Sequence, residues 1–215
     1  MPNTRPDFLC DGPDDASTTL LLAHGAGAAM DSAFMNTITA LLAQRGLRVA
    51  RFEFAYMAAR RQGGKKRPAP KAESVMPEFR DAIAALPRSA RSRLIIGGKS
   101  MGGRVASMLA DDLFAAGTIS GLVCLGYPFH PPNTPQNLRT AHLEHLACPT
   151  LILQGERDPF GTRAEVEPLS LSSAISVHWI GDGDHDLGPR GASGFTRKGN
   201  LAAAADAIKA FAKKL

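Results

Sequence analysis

The chain has 215 residues, 44% hydrophobic and 21% charged, and 25 Lys and Arg against 20 Asp and Glu give a formal charge of +5. This is an ordinary globular balance, long enough for a single well-buried domain over 1–215. No stretch approaches the roughly 18 apolar residues of a membrane span, and Met1 to Pro13 holds no apolar core of signal-peptide length, so a soluble cytoplasmic protein is expected. In chain order, Thr18 to Ala23 is a short apolar run that ends in His24-Gly25-Ala26-Gly27. Ser32 to Gln44 has helical spacing, with Phe34, Ile38, Leu41 and Leu42 on one side, and Leu47 to Phe54 reads as the next strand. Residues 60–71 then hold six basic and no acidic side chains, and without them the formal charge falls from +5 to −1. The basicity thus belongs to one loop, whose simplest reading is a solvated segment. Nucleic-acid binding, which wants basic residues spread over a face with aromatic or helical readers, is not expected.

A helix is expected near Glu73 to Leu86, then a buried strand at Leu94 to Gly97 and a helix from Arg104 to Ala116. Further strands are read at Gly121–Gly126, Thr150–Gln154 and Ile175–Ile180, with a closing helix at Leu201–Lys214. Continuous apolar strands alternating with amphipathic helices predict an α/β fold: a mainly parallel sheet of about six strands covered on both faces. Cys10, Cys124 and Cys148 are odd in number and widely spaced, and they read as reduced thiols. No metal-ligand spacing occurs, and no cofactor is expected.

Between the Leu94 strand and the following helix stands Gly98-Lys99-Ser100-Met101-Gly102. A serine on a sharp strand-to-helix turn has its hydroxyl thrust outward, with small neighbours making room and a helix N-terminus behind it. Gly98-Lys99-Ser100 also ends a phosphate-binding loop, but that motif needs a first glycine where this chain has Arg93. The nucleophile reading is preferred. A serine hydroxyl needs a base, and the base an orienting carboxylate. In a parallel sheet of this kind they follow in the order Ser, acid, His.

His24, His130, His142 and His145 precede any acid loop after Gln154, and His178 lies inside a strand. His185, just beyond that strand, is the expected base. Gly155-Glu156-Arg157-Asp158-Pro159 offers two acids. Asp158, further along the loop and stiffened by Pro159, is favoured, with Glu156 as the alternative. Asp184 and Asp186 read as turn residues. The oxyanion needs two N–H donors: Met101, after the nucleophile, and Ala26, in the small-residue loop after the first strand. His24 itself reads as a structural hydrogen-bonding residue of that loop.

His24-Gly25-Ala26-Gly27, Gly98-Lys99-Ser100-Met101-Gly102, Gly155-Glu156-Arg157-Asp158 and Gly183-Asp184-His185 together resemble the α/β-hydrolase superfamily, over nearly the whole chain from Thr18. More narrowly, Gly97 to Arg104 and Gln154 to Gly161 resemble a small, dienelactone-hydrolase-like branch that includes the hydrolase-like domain of a subunit of the NSL chromatin complex. The resemblance implies a serine hydrolase scaffold without defining a substrate. Larger members insert a cap before the acid-bearing strand, whereas only residues 127–149 fill that interval here, so a lidless open site is expected. The implied reaction is hydrolysis of a small carboxylic ester or thioester through a Ser100 acyl-enzyme. An acyltransferase with the same triad, and a non-catalytic scaffold module, are the alternatives. The loop at 60–71 leaves the sheet on the same edge as Ser100, so an anionic ester is a natural partner. Oligomeric state has no signature in the residue pattern.

Overall fold

The computed structural model describes residues 6–65, 67–87 and 93–215; Lys66 of the basic loop and the first residues of the N-terminal segment lie outside them. Seven strands form one sheet: β1 (Leu9–Asp11), β2 (Thr19–Ala23), β3 (Arg48–Phe52), β4 (Leu94–Lys99), β5 (Gly121–Leu125), β6 (Thr150–Gly155) and β7 (Ile175–Ile180). Their spatial order is β1-β3-β2-β4-β5-β6-β7, which makes β4 the central strand. β1 runs antiparallel to β3, and all the other pairs are parallel.

The unbroken apolar runs follow from this position. β2, β4, β5 and β6 are buried at every residue, because a parallel sheet is covered on both sides. Alternate residues divide between two cores, as a period of two requires. Leu21, Leu94, Ile96, Leu122, Cys124 and Ile152 pack with α3 (Met76–Ala85) and α4 (Met101–Ala115). Leu20, Leu22, Ile95, Val123, Leu125 and Leu153 pack with α1 (Ala33–Gln44) and the C-terminal helix. The three cysteines are unpaired, and Cys124 and Cys148 are buried.

Several elements extend or replace the expected ones. β1 makes the sheet seven-stranded; with three residues it is too short for periodicity to reveal, and its pairing with β3 defines it. Ala55–Arg61, read from sequence as loop, is the short helix α2. The expected helix from Glu73 begins as a 3-10 turn, Ala72–Val75, before α3. After the short helix α5 (Arg163–Val166), the closing helix α6 spans Arg197–Ala212, capped by Thr196, whose hydroxyl accepts the Gly199 N–H. It starts before Leu201 and shortens the expected coil at 181–199.

The chain first crosses from β2 out to β3, then returns past β2 to β4 and continues the other way. Such a reversal opens a crevice at the C-terminal ends of the strands. The loop after β2 carries His24 to Gly27, and the turn after β4 carries Ser100. The interval between β5 and β6 contains a 3-10 turn, Ala141–Leu143, and no inserted cap domain. Among the described residues, no helix is long and apolar enough to cross a membrane.

Candidate active site

Ser100 follows the last residue of β4 and caps α4 with φ 50° and ψ −116°. Positive φ in a serine costs of order 1–3 kcal/mol and persists only where its surroundings over-determine it. Here they do. The Ser100 N–H is held by Leu125 O at 3.0 Å, and Ser100 O accepts the Arg104 N–H at 3.0 Å. The first turn of α4 sits directly on the end of β2. A Cβ at Gly102 would stand 2.6 Å from both Ala23 O and His24 O, and one at Gly98 would stand 2.5 Å from Ala23 O. Only glycine permits so close an approach.

His185 and Asp158 meet directly: His185 Nδ1 lies 2.8 Å from Asp158 Oδ2. Asp158 is fully buried. Its Oδ1 accepts the Phe160 N–H at 2.9 Å, and its Oδ2 also accepts from Gln154 Nε2 at 3.1 Å. The loop that displays it closes through Asp158 N–H to Gly155 O and Gly161 N–H to Asp158 O. Glu156, the alternative acid, is engaged elsewhere. One oxygen pairs with Arg163 and the other accepts the Asp182 N–H. Asp184 is a turn residue, accepting the N–H groups of Asp186 and Gly188. His178 is exposed on β7, where it pairs in register with Leu153 of β6. Ser100 itself is not hydrogen-bonded to His185; bonds of this type commonly tighten only around substrate.

His24 is fully buried. Its Nδ1 lies 2.7 Å from Gly25 O, and its Nε2 accepts the Phe54 N–H at 3.2 Å. Burial lowers its pKa, which favours the neutral ring this geometry uses. Tyr56, from α2, donates to Ala26 O at 3.0 Å and steadies the same loop from outside. Ala26 and Met101 both line a cleft of about 370 Å3 with Ser100. Among the described residues, no protein acceptor engages either backbone N–H.

The rest of this cleft was not legible as a site. Phe160 lines it and packs on the His185 ring, centroids 4.3 Å apart. Lys71, Arg104, Arg139 and Glu73 line it as well. Arg104 donates to Glu73 at 2.9 Å, while its Nε is buried without a partner. Arg139 has no carboxylate partner among the described residues. Its guanidinium pKa is lowered, first by burial and then by Arg104. The basic segment is split: Lys71 reaches this cleft, while Arg61 is paired with Asp31 and Glu53 beside a separate hollow. Among the described residues, no group of three or more His, Cys, Asp or Glu could hold a metal ion.

A parallel sheet with a sharp turn after its central strand, and a buried acid and a histidine in later loops, is the architecture of an α/β hydrolase. Residues 16–213 match the family described as "Alpha/beta hydrolase domain", and the chain belongs to it. Its structure is similar to dienelactone hydrolase from Anabaena variabilis (20% identity, TM-score 0.72), covering 99% of this chain and 93% of that one. It is also similar to an α/β serine hydrolase without lid from Xanthomonas campestris (15%, TM-score 0.65; 97% and 88% covered). A monoacylglycerol lipase from Paleococcus ferrophilus gives 14% identity and a TM-score of 0.68, with 97% and 100% covered. The family supports hydrolase activity.

Proposed function

We propose that the chain is a serine hydrolase that cleaves a small carboxylic ester or thioester through a Ser100 acyl-enzyme. The observation that carries this reading is the 2.8 Å contact between His185 Nδ1 and the fully buried Asp158, with Phe160, packed on the His185 ring, lining the same cleft as Ser100, a serine held at positive φ. Asp158 fixes the tautomer in which Nδ1 carries the proton, leaving Nε2 as the acceptor. His185 then takes the Ser100 hydroxyl proton as Oγ attacks the carbonyl carbon. The tetrahedral oxyanion is met by the Met101 and Ala26 N–H groups, with the positive end of the α4 dipole behind it. His185 returns the proton to the leaving alcohol or thiol, and water repeats the sequence on the acyl-enzyme. Neighbours named as a dienelactone hydrolase and a monoacylglycerol lipase support an ester-type substrate.

The favoured substrate carries a negative charge. Three cations, Lys71, Arg104 and Arg139, face one carboxylate, Glu73, around the cleft that holds Ser100. An anionic group on the substrate would offset that excess in a partly desolvated setting.

The test is fluorophosphonate labelling of wild type and Ser100→Ala, followed by p-nitrophenyl acetate and a half-ester of succinic acid as substrates. Labelling that needs Ser100 is expected, as is a kcat/KM preference for the half-ester that Arg139→Ala lowers about tenfold. Labelling independent of Ser100 would discard the serine mechanism and favour a non-catalytic module. An undiminished preference in Arg139→Ala would discard the anionic substrate.

A further inference from the structure

Lys99 occupies the variable position before Ser100 and is buried, with 8% of its side chain exposed. An ammonium so placed is costly unless it is satisfied. Its Nζ donates to the backbone carbonyl of His185 at 2.7 Å and lies 3.3 Å from Asp186 Oδ1. The Phe34 ring of α1 lies beneath it, 5.4 Å from Nζ to the ring centroid. On the β5 side the wall is Gly126, where a Cβ would stand 3.1 Å from Lys99 Nζ and 3.3 Å from His185 Nδ1. Those two nitrogens are therefore no more than about 6.5 Å apart, the range in which like charges disfavour one another.

The charged groups around Lys99 are few. Asp186 and Asp184 face it from the loop after β7, and Asp158 from the loop after β6. Burial, the largest influence, lowers the Lys99 pKa, and these three carboxylates oppose it in favour of the ammonium. His185 has Asp158 on Nδ1 and the Phe160 ring on one face. The nucleophile's neighbour is thus bonded to the base's own main chain, across 86 residues of sequence.

We propose that Lys99 is a positioning residue that also acts electrostatically, fixing the His185 backbone relative to Ser100 and opposing positive charge on the imidazole. Resting on the serine-hydrolase reading above, this goes beyond it by assigning a role outside the triad. Without the ammonium, the nearby carboxylates favour the imidazolium unopposed.

The experiment compares wild type, Lys99→Met, Lys99→Arg and Asp186→Asn on p-nitrophenyl acetate, a neutral ester whose binding needs no cation. kcat and KM are measured from about pH 5 to 10. Lys99→Met is expected to lower kcat about tenfold with KM within about twofold, and to move the acidic limb of kcat/KM up by about one pH unit. Lys99→Arg keeps the charge, and it restores the wild-type limb and most of kcat. Asp186→Asn alters a half-exposed side chain and does not depend on Lys99→Met folding. It is expected to move the limb the other way by about 0.3. An unmoved limb in both Lys99→Met and Asp186→Asn overturns the proposal, as does an equal loss in Lys99→Met and Lys99→Arg with the limb unmoved. Fluorophosphonate labelling of wild type separates the two readings. No Ser100-dependent label overturns the serine mechanism and this role with it. A labelled wild type with unmoved limbs overturns this role alone.

Discussion

Replacing Gln154 by leucine tests whether a buried amide holds Asp158 in place. Gln154 is fully buried at the end of β6, and its amide makes four hydrogen bonds. Oε1 accepts the Tyr127 N–H at 2.8 Å; Nε2 donates to Tyr127 O at 3.2 Å, and to Asp158 Oδ2 and Gly161 O at 3.1 Å each. Leucine fills most of the space but satisfies none of these groups. Tyr127 O keeps the Phe129 N–H, and Asp158 keeps His185 and Phe160. The Tyr127 N–H and Gly161 O are left without a partner. Each buried orphan costs about 1–3 kcal/mol, partly offset by the apolar side chain, so a net loss of about 2–4 kcal/mol is expected. For a chain of this size that lowers Tm by roughly 4–16 °C. kcat should fall only about tenfold, because Asp158 retains two of its three partners. Thermal unfolding by calorimetry and ester hydrolysis on the same preparation read both effects. A Tm within about 2 °C of wild type would refute the reasoning, because the orphaned groups would then have to be satisfied some other way.

Asp158→Ala should lower kcat about 10^3–10^4-fold, whereas Glu156→Gln should stay within about threefold, and steady-state kinetics on the pair decides which carboxylate serves His185. Gly126 sits at φ 64°, and a Cβ there would stand 2.8 Å from His185 O. Gly126→Ala is therefore expected to lower both stability, by about 1–2 kcal/mol, and kcat/KM, read by urea unfolding and initial rates. His24 and His142 both have pKa values lowered by burial from an ordinary 6.5. The unfolded chain then binds more protons just below that value, so stability is full above about pH 6.5 and is lost as pH falls toward the folded-state values. His24→Gln should make that acid-side fall in Tm shallower, leaving the share that belongs to His142.

Much of the site follows from local pattern. The apolar run feeding Gly98-Lys99-Ser100 could only be a buried strand, and the order of the later loops left His185 as the base candidate. Asp158 and Glu156 could not be separated so easily, because both lie in one turn. Their separation depends on which of them meets the Asp182 N–H and Arg163, contacts that the spacing within the turn does not encode. Lys99 and Gln154 were illegible for a related reason: their partners include groups far away in sequence, the His185 carbonyl for Lys99 and the Tyr127 backbone for Gln154, and neither has a periodicity. Residues 60–71 misled in part, since a run of cations says nothing of the carboxylates opposite. Asp31 and Glu53 engage Arg61, while Lys71 goes to the cleft. β1 escaped because three residues carry no pattern, although the Arg51–Asp11 ion pair at 2.7 Å fastens it to β3.

The backbone at Ser100 has a consequence for how this chain can change. The turn holds a conformation that glycine adopts without strain and serine does not, at φ 50°. On the serine-hydrolase reading proposed above, folding and chemistry therefore ask for different residues at one position. A chain released from its activity would drift there toward glycine and gain stability. Keeping serine means that the packing of α4 against β2 must carry a surplus, and substitutions that loosen that packing use up the same margin that holds the hydroxyl in place.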